Sequence, residues 1–367
     1  MATTTGIYTI GDSRRLAILS GYDKRSRERS RKSYLTFEAA ADNTTVTWTA
    51  PNESTLRTIE VSTDGGSTWT QKTSSTAGTS LGTINKGARM LVRGSAGYQT
   101  PFSQNRFSSD KDVYVWGNAL SLVYGDNFIG QTVYTAAHGF RGLFKGMTTL
   151  LTDPKRGYII FPMASIPQYG LFDTFNGCSK MTAPPVIDAS DVSGYESCGY
   201  MFSGCSSLLT PPELPATTLD TYCYENMFRE CVSLRYPPEL PATTLPERCY
   251  NSMFYGCSSL TGAVEIPATT VGAWCCSQMF YGSGITEITL PAQTLAERCY
   301  NQMFRLCPNL RKITCLATDI SATSCVDNWC LGMGQSSGTF VKAAGMTSWP
   351  SGASGIPTGW TVQDYTS

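Results

Sequence analysis

Residues 223–231 read CYENMFREC, and the phrase returns as CYNSMFYGC at 249–257, CCSQMFYGS at 275–283 and CYNQMFRLC at 299–307. With MFSGC at 201–205 upstream, the methionines Met201, Met227, Met253, Met279 and Met303 fall 26, 26, 26 and 24 residues apart. A second phrase keeps step: LPATTL from Leu214 and Leu240, IPATTV from Ile266, LPAQTL from Leu290 and LATDI from Leu316. Degenerate copies place Phe175 and Cys178 in register on one side, and Cys325 and Trp329 on the other. A fixed period of this length means a solenoid, here expected from about Phe140 to about Gly338. One unit cannot bury its own apolar face, so stacked units share a core.

Within a unit, Cys223, Met227, Phe228 and Cys231 stand at offsets of one helical face, which predicts a short helix or 3₁₀ turn. Leu214 and its equivalents fit a strand that proline on either side limits to about three residues. Glu213, Glu239 and Glu265 each precede that apolar residue, so alternation turns the leucine inward and the carboxylate outward. The three would form a ladder of like charges, a relic of duplication or a site for a cationic, cation-bridged or hydroxyl-rich ligand. Tyr255 and Tyr281, on a different column, are candidate aromatic contacts.

The MFxGCSSL phrase, followed by a strand and repeated near 26 residues, resembles the BspA-like leucine-rich repeats of bacterial surface proteins. The LPATTLxxxCYxxMF variant resembles copies in gut Bacteroidales and their crAss-like phages. The resemblance implies a leucine-rich-repeat-like solenoid and a role in adhesion or attachment, and it carries over no binding residue.

All fourteen cysteines lie between Cys178 and Cys330. Zinc sites pair cysteines two to four residues apart; here the two columns are eight apart and His138 is the only histidine. No metal or other cofactor is expected. Helix-side residues of successive coils would lie about 8–10 Å apart, beyond the roughly 7 Å that a disulfide spans. The cysteines therefore read as small buried hydrophobes, mostly reduced.

From Ser33 to about Ser109 the pattern alternates in short β-branched and aromatic runs such as TTVTWTA and RMLVRGS. This predicts a β-sandwich over 33–110, similar to immunoglobulin-like and fibronectin type III modules. Ser62, Asp64, Gly66, Thr68 and Trp69 match the Asp-box of sialidase propellers, but a single box with Asp-Gly-Gly between alternating runs reads as a hairpin turn. Residues 111–139 read as a connector, 140–338 as the solenoid and 339–367 as a C-terminal cap. The whole is expected to be mainly β with short helices.

Residues 1–32 carry Arg14, Arg15, Lys24, Arg25, Arg27, Arg29, Arg31 and Lys32, read as a basic docking arm. Lys+Arg and Asp+Glu are both 28, so there is no global field for nucleic acid and no specific nucleic-acid partner is expected. Arg14 and Arg15 precede only four apolar residues, short of the roughly 7–15 of a secretory leader. No run approaches the ~20 apolar residues of a membrane span, so membrane insertion is not expected. His138 has no base-orienting carboxylate in recognisable spacing, no P-loop or H-E-x-x-H is present, and no catalytic residue is expected.

The expected function is that of a non-enzymatic phage virion protein, a fibre or fibre-adaptor subunit assembled in the host cytoplasm. It would contact other virion proteins through its N-terminus and present the repeats to a host-surface glycan or protein; fibres are commonly homotrimeric, but no heptad or collagen-like run forces a homotrimer here. A secreted adhesin at the bacterial cell surface is the alternative, and a polysaccharide-degrading enzyme a distant one.

Overall fold

The computed structural model describes residues 24–94, 102 and 104–366. Residues 24–31 form helix α1. Eight strands follow: β1 (Leu35–Ala39), β2 (Thr44–Thr49), β3 (Thr58–Ser62), β4 (Thr70–Thr73), β5 (Thr79–Ile84), β6 (Arg89–Gly94), β7 (Arg106–Ser109) and β8 (Val113–Asn118). Their neighbours run β4-β3-β6-β1-β8 in one sheet and β5-β2-β7 in another, all antiparallel. Alternation sets which residues meet between the sheets. Phe37 of β1 lies 5.0 Å from Phe107 of β7, which lies 4.4 Å from Trp48 of β2. The indole of Trp48 donates to the Arg57 carbonyl, so its one polar atom is satisfied in the core.

The larger sheet does not stop at β8. On its other edge β8 takes β9 (Leu150–Leu151) and β10 (Ile159–Phe161), and β10 takes β11 (Val186–Ile187), all in parallel. Strand β8, within the stretch read as a connector, thus belongs to both halves. The apolar core is one cluster from Leu35 to Trp360, and Phe144 of the first coil touches Phe107 at 5.8 Å.

The solenoid makes about eight turns. Its later coils build a five-stranded parallel sheet, β15-β17-β18-β19-β20, from Ala263–Glu265, Glu287–Leu290, Lys312–Cys315, Thr339–Lys342 and Thr361–Asp364. In the middle coils the strands shrink to residue pairs: β12 (Asp191–Val192) with β13 (Thr218–Leu219), and β14 (Thr244–Leu245) with β16 (Thr270–Val271). The expected strand at Leu214 and Leu240 is absent, because Pro211-Pro212 and Pro237-Pro238 precede these residues as well as Pro215 and Pro241 following, and none has an N–H to give a ladder; Leu290, with Pro291 after it and no proline pair before it, does end strand β17. Both leucines are nevertheless buried, at 4% exposure.

The short helix expected at Cys223–Cys231 is a ladder of turns instead. Alternate amides bond within the coil, as Glu225 N–H to Tyr222 O and Met227 N–H to Tyr224 O. The others bond the next coil, as Tyr222 N–H to Glu247 O, Tyr224 N–H to Cys249 O and Asn226 N–H to Asn251 O. Tyr222, Asn226 and Glu230 are left-handed, at φ 61°, 53° and 60°. Such a conformation costs roughly 1–2 kcal/mol in a non-glycine residue, and each of the three places its N–H on a carbonyl of the next coil. Coils joined this way lie closer than packed helices. The buried rings Phe175, Phe202, Phe228, Phe254 and Phe280 stack with centroids 5.6, 5.4, 5.5 and 5.5 Å apart.

Candidate functional site

Two surfaces of the solenoid repeat with the coils. The first lies on the strand side, where proline breaks the ladder and leaves a groove. Pro184, Pro211, Pro212, Pro237 and Pro238 wall it, and Glu213, Glu239 and Glu265 stand along it. All three carboxylates are exposed, while Leu214, Leu240 and Ile266 beside them are buried. The carboxylates thus face out and the apolar residues in, although residues 213–214 and 239–240 form no strand.

The basic arm meets the start of this groove. Arg27 donates to Glu213 at 2.9 Å and lies over the Tyr158 ring, 5.7 Å from its centroid. Arg31 grips Asp188 through both Nη atoms, one at 2.7 Å, and Asp188 in turn raises the guanidinium pKa by that hydrogen bond. Arg29 donates to the carbonyls of Lys155 and Arg156. Ser30 is buried, takes the Tyr158 amide and so anchors the helix. Lys32 pairs with Glu28 at 3.1 Å, and Lys24 and Arg25 are exposed. Arg14 and Arg15 lie outside the described residues. Three of the six described basic side chains, Arg27, Arg29 and Arg31, thus hold the chain's own body.

The second surface is the turn edge. The residue before each first-column cysteine is Tyr222, Arg248, Trp274 and Arg298 in successive coils. Arg248 lies between two rings, 5.4 Å from Tyr222 and 5.0 Å from Trp274, and Arg298 lies 4.6 Å from Trp274. The line extends through Tyr195 and Tyr169 to His138, which stacks on Tyr169 at 4.7 Å. Burial, then Arg141, lowers the His138 pKa, so the ring is neutral near pH 7 and its Nδ1 takes an Arg141 N–H. Further along each turn, Tyr255 and Tyr281 stack at 4.5 Å between Arg229, 4.0 Å over Tyr255, and Arg305, 5.6 Å over Tyr281. These two tyrosines meet each other but do not line the groove. The Tyr222–Arg248–Trp274–Arg298 column was missed in the sequence, where its signal is the 26- and 24-residue recurrence of large planar side chains just before the cysteine.

Asp64 sits in the turn between β3 and β4, as the hairpin reading requires. Its carboxylate accepts from Ser62 Oγ, the Thr68 amide and Thr68 Oγ1, and those bonds hold its pKa well below the usual range. The motif's hydrogen-bonding capacity is spent on the turn. Among the described residues no three His, Cys, Asp or Glu side chains gather as a metal site, and no helix is long and apolar enough to cross a membrane. Compared with known proteins, the chain matches no family model, no curated protein and no solved structure.

Proposed function

We propose that this chain is a non-catalytic attachment protein, a phage virion fibre or adaptor subunit in which the solenoid is the recognition element. The observation that carries the reading is the turn-edge column, where planar cationic and aromatic side chains repeat once per coil on a backbone locked coil to coil. Such a column offers stacking faces and guanidinium donors to a host-surface glycan or protein, in a geometry fixed before binding. The single core through β8 supports a rigid connection from the N-terminal unit, which we read as an immunoglobulin- or fibronectin-type-III-like sandwich, to the BspA-like repeats. With Arg27, Arg29 and Arg31 engaged on the solenoid side, docking to other virion proteins falls to the residues ahead of Ser26, including Lys24 and Arg25.

Two experiments test this. Immunogold labelling of purified virions with antibody to the chain is expected to mark particles; unlabelled particles that lack the chain by mass spectrometry refute the virion assignment. A fluorescent full-length chain is expected to bind host cells, with Arg248→Ala/Trp274→Ala reducing that binding by about tenfold or more, since stacked cationic contacts act together. Equal binding by the folded double variant removes the turn edge as the recognition surface.

A further inference from the structure

The proline-walled groove continues beyond the place where α1 rests in it. Its first segment holds the Arg27 guanidinium, between Glu213 and the Tyr158 ring. The second shares Pro212 and Glu213 with the first and reaches Glu239. The third shares Pro238 and Glu239 with the second and reaches Glu265, with Tyr236 standing 58% exposed on its wall. Among the described residues no ion pair joins Glu239 or Glu265.

The chemistry of the wall selects a class of partner. Proline contributes a carbonyl and no N–H, so Pro237, Pro238, Pro241 and Pro267 offer acceptors and ring faces. Glu239 and Glu265 add further acceptors. A ligand that matches must bring donors and a flat face, and the arginine guanidinium has five N–H donors, no acceptor and a plane that stacks on tyrosine. The first segment already shows the match, with a carboxylate and a tyrosine ring on one guanidinium. In the third segment Glu265 and Tyr236 supply the same pair of groups.

We propose that the groove at Glu239 and Glu265 binds an arginine-bearing peptide segment of a partner protein, as the first segment holds Arg27. The inference stands on the groove alone and does not depend on the virion reading. Lysine serves less well, because its ammonium carries no plane and cannot bond a carboxylate in parallel pairs.

The test uses the full chain and a fluorescein-labelled synthetic peptide of residues 24–32, KRSRERSRK, followed by anisotropy at low ionic strength. Two control peptides replace its four arginines by lysine or by glutamine. The arginine peptide is expected to bind, the lysine peptide more weakly and the glutamine peptide not at all. Glu239→Gln/Glu265→Gln is expected to weaken binding by about tenfold, and Tyr236→Ala to erase most of the preference for arginine over lysine. Glu247→Gln/Glu297→Gln, on the turn edge, is expected to leave binding unchanged. The substituted side chains are exposed, and thermal unfolding of each variant checks its folding. Several results overturn the proposal: equal binding by the Glu239/Glu265 variant, equal weakening by the turn-edge variant, or equal binding of the arginine and lysine peptides. Failure of the full chain to bind any peptide also overturns it, including the case in which residues 1–23 occupy the groove.

Discussion

The thiol of Cys231 donates to the carbonyl oxygen of Phe202, one coil back, at 3.1 Å. The relation recurs down the column: Cys178 to Phe144, Cys205 to Phe175, Cys257 to Phe228 and Cys307 to Phe280, at 2.9–3.1 Å. Each thiol fills a small apolar site and also gives a buried carbonyl a second donor. Cys231→Val keeps an apolar side chain, adds one methyl branch and removes the donor, and is expected to cost about 1–2 kcal/mol in urea unfolding. Cys231→Ser is expected to cost less, since the same column carries the buried Ser283. A valine variant as stable as the parent would show that the S–H bond contributes nothing.

All fourteen cysteines are buried and unbridged. Burial pushes the Cys198, Cys307 and Cys315 thiols up to about 12, so the reactive thiolate is scarce at pH 8. Iodoacetamide is expected to leave the native chain unmodified and to label every cysteine after guanidinium unfolding without reductant. Mass spectrometry reads both states. Pairs that stay unlabelled in the unfolded chain would reveal disulfides.

The ring stack through Phe228 and Phe254, parallel at 5.5 Å, makes the coils interdependent. Phe228→Ala leaves a cavity between two rings and is expected to cost about 3–5 kcal/mol. Because stabilisation in a solenoid is shared between neighbours, amide exchange should accelerate most in the adjoining coils, from 196 to 260, and least in β1–β7. Uniform acceleration across the whole chain would instead indicate one all-or-none unit, which the shared core permits.

How far these features could be read beforehand depends on which symmetry each one carries. The period, the buried Leu214 column and the exposed Glu213 column are set by burial, and burial writes itself into residue type. The turn ladder was not legible from Cys223, Met227, Phe228 and Cys231, because offsets of four, five and eight suit a helix and a left-handed residue every fourth position alike. The distinguishing signal lay elsewhere. Gly204, Gly256 and Gly282 recur in the Glu230 column at φ 74°, 72° and 66°, where a helix interior disfavours glycine. Tyr158 and Asp188, which receive Arg27 and Arg31, lie in coils too degenerate for the repeat to flag. Their role comes from a long-range contact that no local pattern encodes.

At the β3–β4 turn, Asp64 accepts from Thr68 through both carboxylate oxygens. Asp64→Ala removes these bonds without touching the core. Amide exchange at Thr68 is expected to speed up, while that of Gly66, whose amide donates to Ser62 Oγ, and of the buried strands β1 and β6 changes little. Unchanged exchange at Thr68 would mean that Gly65 and Gly66, both at positive φ, hold the turn without the carboxylate.

Glu225 gives the solenoid a predicted pH dependence. Burial raises its pKa from 4.5 to about 7; Arg248 opposes the shift and Glu196 adds to it. The folded pKa exceeds the unfolded one, so the fold binds the proton more tightly. Stability from this group is full below about pH 4.5 and is lost as pH rises through about 7. Glu225→Gln keeps the shape and removes the titration. It is expected to be more stable than the parent by about 1–2 kcal/mol at pH 8, a figure discounted for partial solvent screening, and to approach parity at pH 4. Urea unfolding at pH 4, 6 and 8 measures the difference between the two chains. A gap that is constant with pH would place the Glu225 carboxylate in solvent, with no protonation linked to folding.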